Sequence, residues 1–160
     1  VQPGSKLFEV FKGNPFFNSN TFANLPKIPL TRMATQITDG VKVSVETVYQ
    51  PEYSNPENEH YMFAYRITIE NLGDYSVQLL RRHWYIFDSN GTRREVEGEG
   101  VVGVQPIIDP GEQHEYVSGC NLKSDMGTMT GTYQMLREFD GSLFEVKIPK
   151  FDLIAPHRLN

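Results

Sequence analysis

The chain contains one cysteine, Cys120, in 160 residues. An internal disulfide therefore cannot form, and a zinc ribbon, which needs several thiolates, is excluded. A lone thiol, read as a buried structural one, suits a reducing compartment, and a cytoplasmic location is expected. No apolar run approaches the ~18 residues that a membrane-spanning helix needs. No segment joins a charged n-region to an apolar h-region as a secretory signal does. Basic residues are outnumbered: 15 Lys and Arg face 20 Asp and Glu, giving a net charge of −5. That balance speaks against nucleic acid and anionic membrane as partners. Catalytic signatures are missing as well. No G-x-S-x-G elbow occurs, and His60, His83, His114 and His157 fall in no paired-ligand spacing. Glu115 and Asp125 supply carboxylates, but nothing marks a tuned acid–base pair. The expectation is a non-enzyme with no catalytic residues and no cofactor.

Aromatic residues are abundant, with ten Phe and eight Tyr. The length suits one domain, with or without a tail. Charge divides the chain unevenly. Residues 1–32 carry a balance of +3 and the remainder −8. The first segment is rich in Pro, Asn and Phe, and Pro3, Pro15, Pro26 and Pro29 interrupt any long helix. It reads as a flexible arm, as a remnant of expression or an over-long gene start, or as a cleaved targeting peptide. Met33 would then be the natural start, and residues 33–160 the domain.

That domain reads as strands. In "YMFAYRITIEN" Tyr61, Phe63, Tyr65, Ile67 and Ile69 share one face and Arg66, Thr68 and Glu70 the other. Such alternation marks a half-buried strand. "VKVSVETVY", "VQLLRRHWYIFD", "GTMTGTYQML" and "SLFEVKIPKF" behave alike. Asn71-Leu72-Gly73, Ser89-Asn90-Gly91, Pro110-Gly111 and Asp140-Gly141 supply turns. Seven to eight strands without a long helix predict an all-β antiparallel sandwich of the fibronectin type III or immunoglobulin-like kind, with a closed barrel as the alternative.

Three features carry functional weight. "EVEGEGVVGVQP" holds a literal G-x-G-x-x-G at Gly98, Gly100 and Gly103. A dinucleotide site needs a helix after the glycines, yet Pro106 and Pro110 follow. What remains is a candidate binding loop that takes an anion on bare backbone N–H groups, or a structural transition. Glu95, Glu97 and Glu99 share one strand face. They are weak candidates for a hard divalent cation such as Mg²⁺ or Co²⁺, or a solvated face neutralised across the sheet. "RRHWYIF" sends Trp84 and Ile86 one way and His83, Tyr85 and Phe87 the other. Arg81, Arg82, His83, Tyr85 and Phe87 form the candidate contact surface, because such sites favour Tyr, Phe and Arg. The other possibility is that both faces are covered.

The segments "YMFAYRITIENLG", "VQLLRRHWYIFDSNG", "EVEGEGVVGVQPIIDPGEQHEYVSG", "GTMTGTYQM" and "FEVKIPKFDLIAP" together resemble the bacterial ApaG family from about Val41 onward. The resemblance implies a fibronectin-type-III-like sandwich and a link to cobalt and magnesium tolerance or efflux. It also implies a genetic neighbourhood with a dinucleoside-tetraphosphate hydrolase. Related domains joined to F-box and polymerase-interacting proteins suggest a protein-binding module. A protein partner is therefore expected, with a homodimer also open. The alternative is direct binding of a phosphate-bearing nucleotide or a divalent cation at the Gly98–Gly103 loop.

Overall fold

The computed structural model describes residues 33–159. The expectations for the arm, residues 1–32, lie outside the described residues. Nine strands run in chain order: β1 (Ala34–Thr38), β2 (Val41–Tyr49), β3 (Tyr61–Asn71), β4 (Val77–Asp88), β5 (Arg93–Glu99), β6 (Ile107–Ile108), β7 (Gln113–Leu122), β8 (Met126–Arg137) and β9 (Leu143–Ile154). They form two sheets, β1-β2-β3-β7 and β5-β4-β8-β9, with the two-residue β6 also on β4. Every pairing is antiparallel. The helical elements among the described residues are short 3₁₀ turns. None is long and apolar enough to cross a membrane.

The alternating strands pack as their pattern demands. Val43, Val45, Ile67 and Ile69 from the first sheet face Trp84, Met129, Tyr133 and Val146 from the second, all fully buried. Trp84 lies against Tyr65 and Phe151, with ring centroids 5.5 and 5.9 Å away. Each large apolar side chain so buried contributes about 1.5–3 kcal/mol. Beside β9 the sandwich is closed by the Lys147 N–H, which donates to Thr38 Oγ1 at 3.2 Å. Beside β5, Arg94 reaches across and donates to the Asn121 carbonyl on β7.

Two bulges shift the phase of the second sheet. In β4 the register slips between Leu79 and Arg81, leaving Leu80 as an extra residue. Before the slip, Val77 and Leu79 point inward; after it, Trp84 and Ile86 do. In β9 two residues, Pro149 and Lys150, stand opposite Thr130 alone. Proline is tolerated there because β9 is an edge strand and the bulge leaves the ladder locally unpaired.

Candidate functional site

The glycine loop has a structural account. Gly98 lies opposite Arg82 in the β4–β5 ladder. A Cβ on Gly98 would sit 2.9 Å from Arg82 Nη1, so glycine makes room for the guanidinium to pass. Arg82 Nη1 then donates to the carbonyls of Glu99 and Gly100, both at 2.9 Å. Gly100 has φ +60°, and a Cβ there would meet Val104 O at 2.2 Å. Its N–H donates to Leu80 O at 2.8 Å. The Val101 and Val104 N–H groups donate to each other's carbonyls, at 2.8 and 3.1 Å. Between them Val102 and Gly103, at φ 47° and 78°, make a tight turn of the kind that needs positive φ. The N–H groups of Gly100, Val101 and Val104 are thus spent on backbone bonds to β4 and within the loop instead of converging on one point.

The three glutamates each turn to a basic neighbour on β4. His83 Nε2 lies 3.0 Å from Glu95 Oε2, and His83 Nδ1 2.8 Å from Glu97 Oε1. Arg81 Nη1 lies 3.7 Å from Glu99 Oε1. Among the described residues, no group of three or more His, Cys, Asp or Glu side chains is arranged to hold a metal ion.

The β4 residues divide between two faces. Arg81, His83, Tyr85 and Phe87 point outward, whereas Arg82 points inward, where it braces the glycine loop. Arg81 and Arg82 are neighbours on one strand and cannot share a face. Tyr85 and Phe87 remain 43% and 39% exposed. The His83 ring stacks on Tyr85 at 4.4 Å, and the Arg93 guanidinium lies 5.5 Å from the Phe87 ring centre. Beside them runs a groove of about 560 Å³, floored by Thr128 and Thr130, with Arg93 and Lys150 among its lining residues. The antiparallel registers put Arg93 beside Phe87 and Thr128 on the other side of Phe87. Glu95 also lines the groove, but its carboxylate is held by His83.

The remaining reactive groups are structural. Cys120 is buried, and burial pushes its thiol up to about 11, against a smaller opposing effect from Arg94. The hydroxyls of Tyr116 and Tyr133 bond each other in the interior. Burial raises both phenols well above their ordinary range. His157 contacts Asp125 at 2.9 Å, and burial holds His114 below the ordinary imidazole range. Asp88, also buried, accepts the Lys123 N–H and the Ser124 hydroxyl.

The profile of the ApaG domain matches residues 51–137. This chain belongs to the ApaG family. Protein ApaG of Dechloromonas aromatica (strain RCB) is 49% identical over 125 residues, covering 77% of this chain and 98% of that protein. Protein ApaG of Pseudomonas paraeruginosa (strain PA7) is 52% identical over 120 residues, covering 75% and 94%. A solved structure of an ApaA protein from Bordetella pertussis superposes with a TM-score of 0.70 at 44% identity. It covers 77% of this chain and 96% of its own. The G-x-G-x-x-G of this chain thus lies in a fold of antiparallel strands, followed by a turn and not by a helix.

Thr128, Thr130 and Lys150 were not among the residues singled out from sequence, and Arg93 entered only as a basic neighbour of the glutamates across the sheet. Counting back from the Ser89-Asn90-Gly91 turn pairs Arg93 with Phe87, so that neighbour was available. Lys150 was not, because its side depends on the bulge at Pro149.

Proposed function

We propose that this ApaG chain is a non-enzymatic binding domain that docks a protein partner on the outer face of the β5-β4-β8-β9 sheet. The observation that carries the reading is the Tyr85–Phe87 pair. The two rings stand exposed side by side, at the edge of a groove that Arg93 and Lys150 make basic. Aromatic and arginine side chains dominate binding energy at protein interfaces, whereas scattered lysine and glutamate contribute little. The contact surface is Arg81, His83, Tyr85 and Phe87 with Arg93 and Lys150; Arg82 supports it from behind. Through its partner the domain acts on cobalt and magnesium homeostasis in the cytoplasm, the role suggested by its family resemblance. The Gly98–Gly103 loop serves that surface as a scaffold for β5.

Quantitative affinity purification tests the reading. Wild type is compared with the Tyr85→Ala, Phe87→Ala double variant and with Glu115→Gln, an exposed position on β7 of the other sheet. Specific partners are expected to fall by roughly thirtyfold or more in the double variant, the loss typical of an interface hot spot. They should survive in Glu115→Gln. Retention of every specific partner by the double variant would overturn the placement.

A further inference from the structure

A second concave site lies at the other end of β4. Three loops meet there: the Asp39-Gly40 turn, residues 71–76 and residues 137–142. Backbone bonds tie them together. The Leu72 N–H donates to Gly40 O at 2.8 Å, and the Glu138 N–H to Ser76 O at 3.0 Å. Asn71, fully buried, pins the middle loop. Its Nδ2 donates to the carbonyls of Tyr75 and Ile108, at 2.8 and 2.9 Å, and its Oδ1 accepts the Gly73 N–H at 2.9 Å. The pocket so framed has a volume of about 360 Å³.

Its lining joins two chemistries. Tyr75 and Phe139 stack with ring centroids 4.8 Å apart, and they stay 48% and 73% exposed. Asp39, Asp74 and Asp140 stand around them. Hydrogen bonds from Ser142 hold the Asp140 carboxyl below the usual carboxylate range. The pocket's one cation among the described residues, Arg137, is already engaged. Its guanidinium lies 4.8 Å from the Phe144 ring centre and bonds Ser142 Oγ at 3.2 Å. Among the described residues, three carboxylates against one engaged guanidinium leave the pocket acidic beside exposed aromatic surface.

We infer that this pocket receives an arginine side chain presented by a protein partner. A planar guanidinium stacks on aromatic rings, forks to carboxylates and sheds water more readily than an ammonium. Loops tied before binding lower the ordering cost that a ligand must meet. The site is independent of the groove at Tyr85 and Phe87, and the opposite charge of the two keeps their ligands apart.

The test titrates N-acetyl-arginine amide, and its neutral isostere N-acetyl-citrulline amide, into the full chain. Binding is followed by NMR at the Tyr75 and Phe139 rings. The arginine probe should shift both rings and leave Tyr85 and Phe87 unmoved, while citrulline shifts neither. Asp74→Asn and Tyr75→Ala should each weaken the arginine probe by roughly fivefold, as loss of an exposed cation–π or ion-pair contact does. Both positions are exposed, so the fold should survive, and an unchanged urea midpoint verifies it. Equal shifts with citrulline would overturn the inference. So would equal affinity for N-acetyl-lysine amide, ring shifts produced by Mg²⁺ alone, or ring shifts that follow protein self-association.

Discussion

The two ends of β4 both carry an exposed aromatic pair, yet they differ in charge and in origin. Tyr85 and Phe87 are two residues apart on one strand, beside Arg93 and Lys150. Tyr75 and Phe139 come from separate loops, amid Asp39, Asp74 and Asp140. The first pair holds its place through the pleat of a sheet, which fixes side chains i and i+2 on one face. The second holds only because Asn71 and two inter-loop backbone bonds fasten the loops. One scaffold thus offers two surfaces whose ligands must differ in sign, and whose rigidity has different causes.

The most severe way to break this comparison is to remove what the two ends share. Trp84→Ala should cost about 3–5 kcal/mol, since Trp84 is fully buried against Tyr65 and Phe151. Urea denaturation should show that loss, and both surfaces should fail together.

Asn71→Ala separates the ends. It leaves two carbonyls and one N–H without their partner in a mostly buried setting, at about 1–3 kcal/mol for each group that water does not reach. The arginine probe should lose the Tyr75–Phe139 site, while partner capture through Tyr85 and Phe87 persists. Loss of both would show that the two ends are not independent.

Alkaline pH loads the groove side. The Cys120 thiol, beside Arg94 of β5, has a folded value of about 11 against an ordinary 9.0. The unfolded chain releases this proton first. The contribution is therefore complete below pH 9.0 and is lost as pH rises through about 11. The slope is about 1.4 kcal/mol per pH unit for this one group. In Cys120→Ala the fall measured by pH-dependent denaturation should begin later, near the onset of the buried tyrosines, whose values are also raised by burial.

Divalent cations should have the smallest effect. Glu95, Glu97 and Glu99 are each held by His83 or Arg81. Millimolar Mg²⁺ or Co²⁺ should leave the melting temperature unchanged, because only a ligand preferring the native state raises it. A clear rise would revive a direct cation site on this strand.

Much of the sandwich could be read from residue order alone. The alternation in Tyr61–Asn71 and the turn chemistry of Ser89-Asn90-Gly91 and Asp140-Gly141 match β3 and the hairpins of the second sheet. β1 was not read, because Ala34–Thr38 is short and its residues are only half-buried or exposed. The side of Arg82 followed from alternation, which sends it with Trp84 and away from Arg81; the slip at Leu80 did not follow. Simple alternation works in β4 only on one side of Leu80, and nothing in "QLLRR" marks the slip. The groove was half legible: Tyr85 and Phe87 announce themselves, whereas Lys150 depends on a second bulge. The acidic pocket was not legible at all. It exists because β4 and β8 pair from Val77 and Arg137 onward, bringing distant loops together.

Leu80 links these readings. Its carbonyl accepts the Gly100 N–H at 2.8 Å and Gln105 Nε2 at 2.9 Å. Deleting it would restore an unbroken alternation through β4, with Leu79 and Arg82 still inward and Arg81 still outward. The sheet itself has no need of this residue. Without it, however, the loop after β5 loses the acceptor on which it hangs. Strand length and loop length are therefore coupled in this fold: a change in one survives only with a matching change in the other.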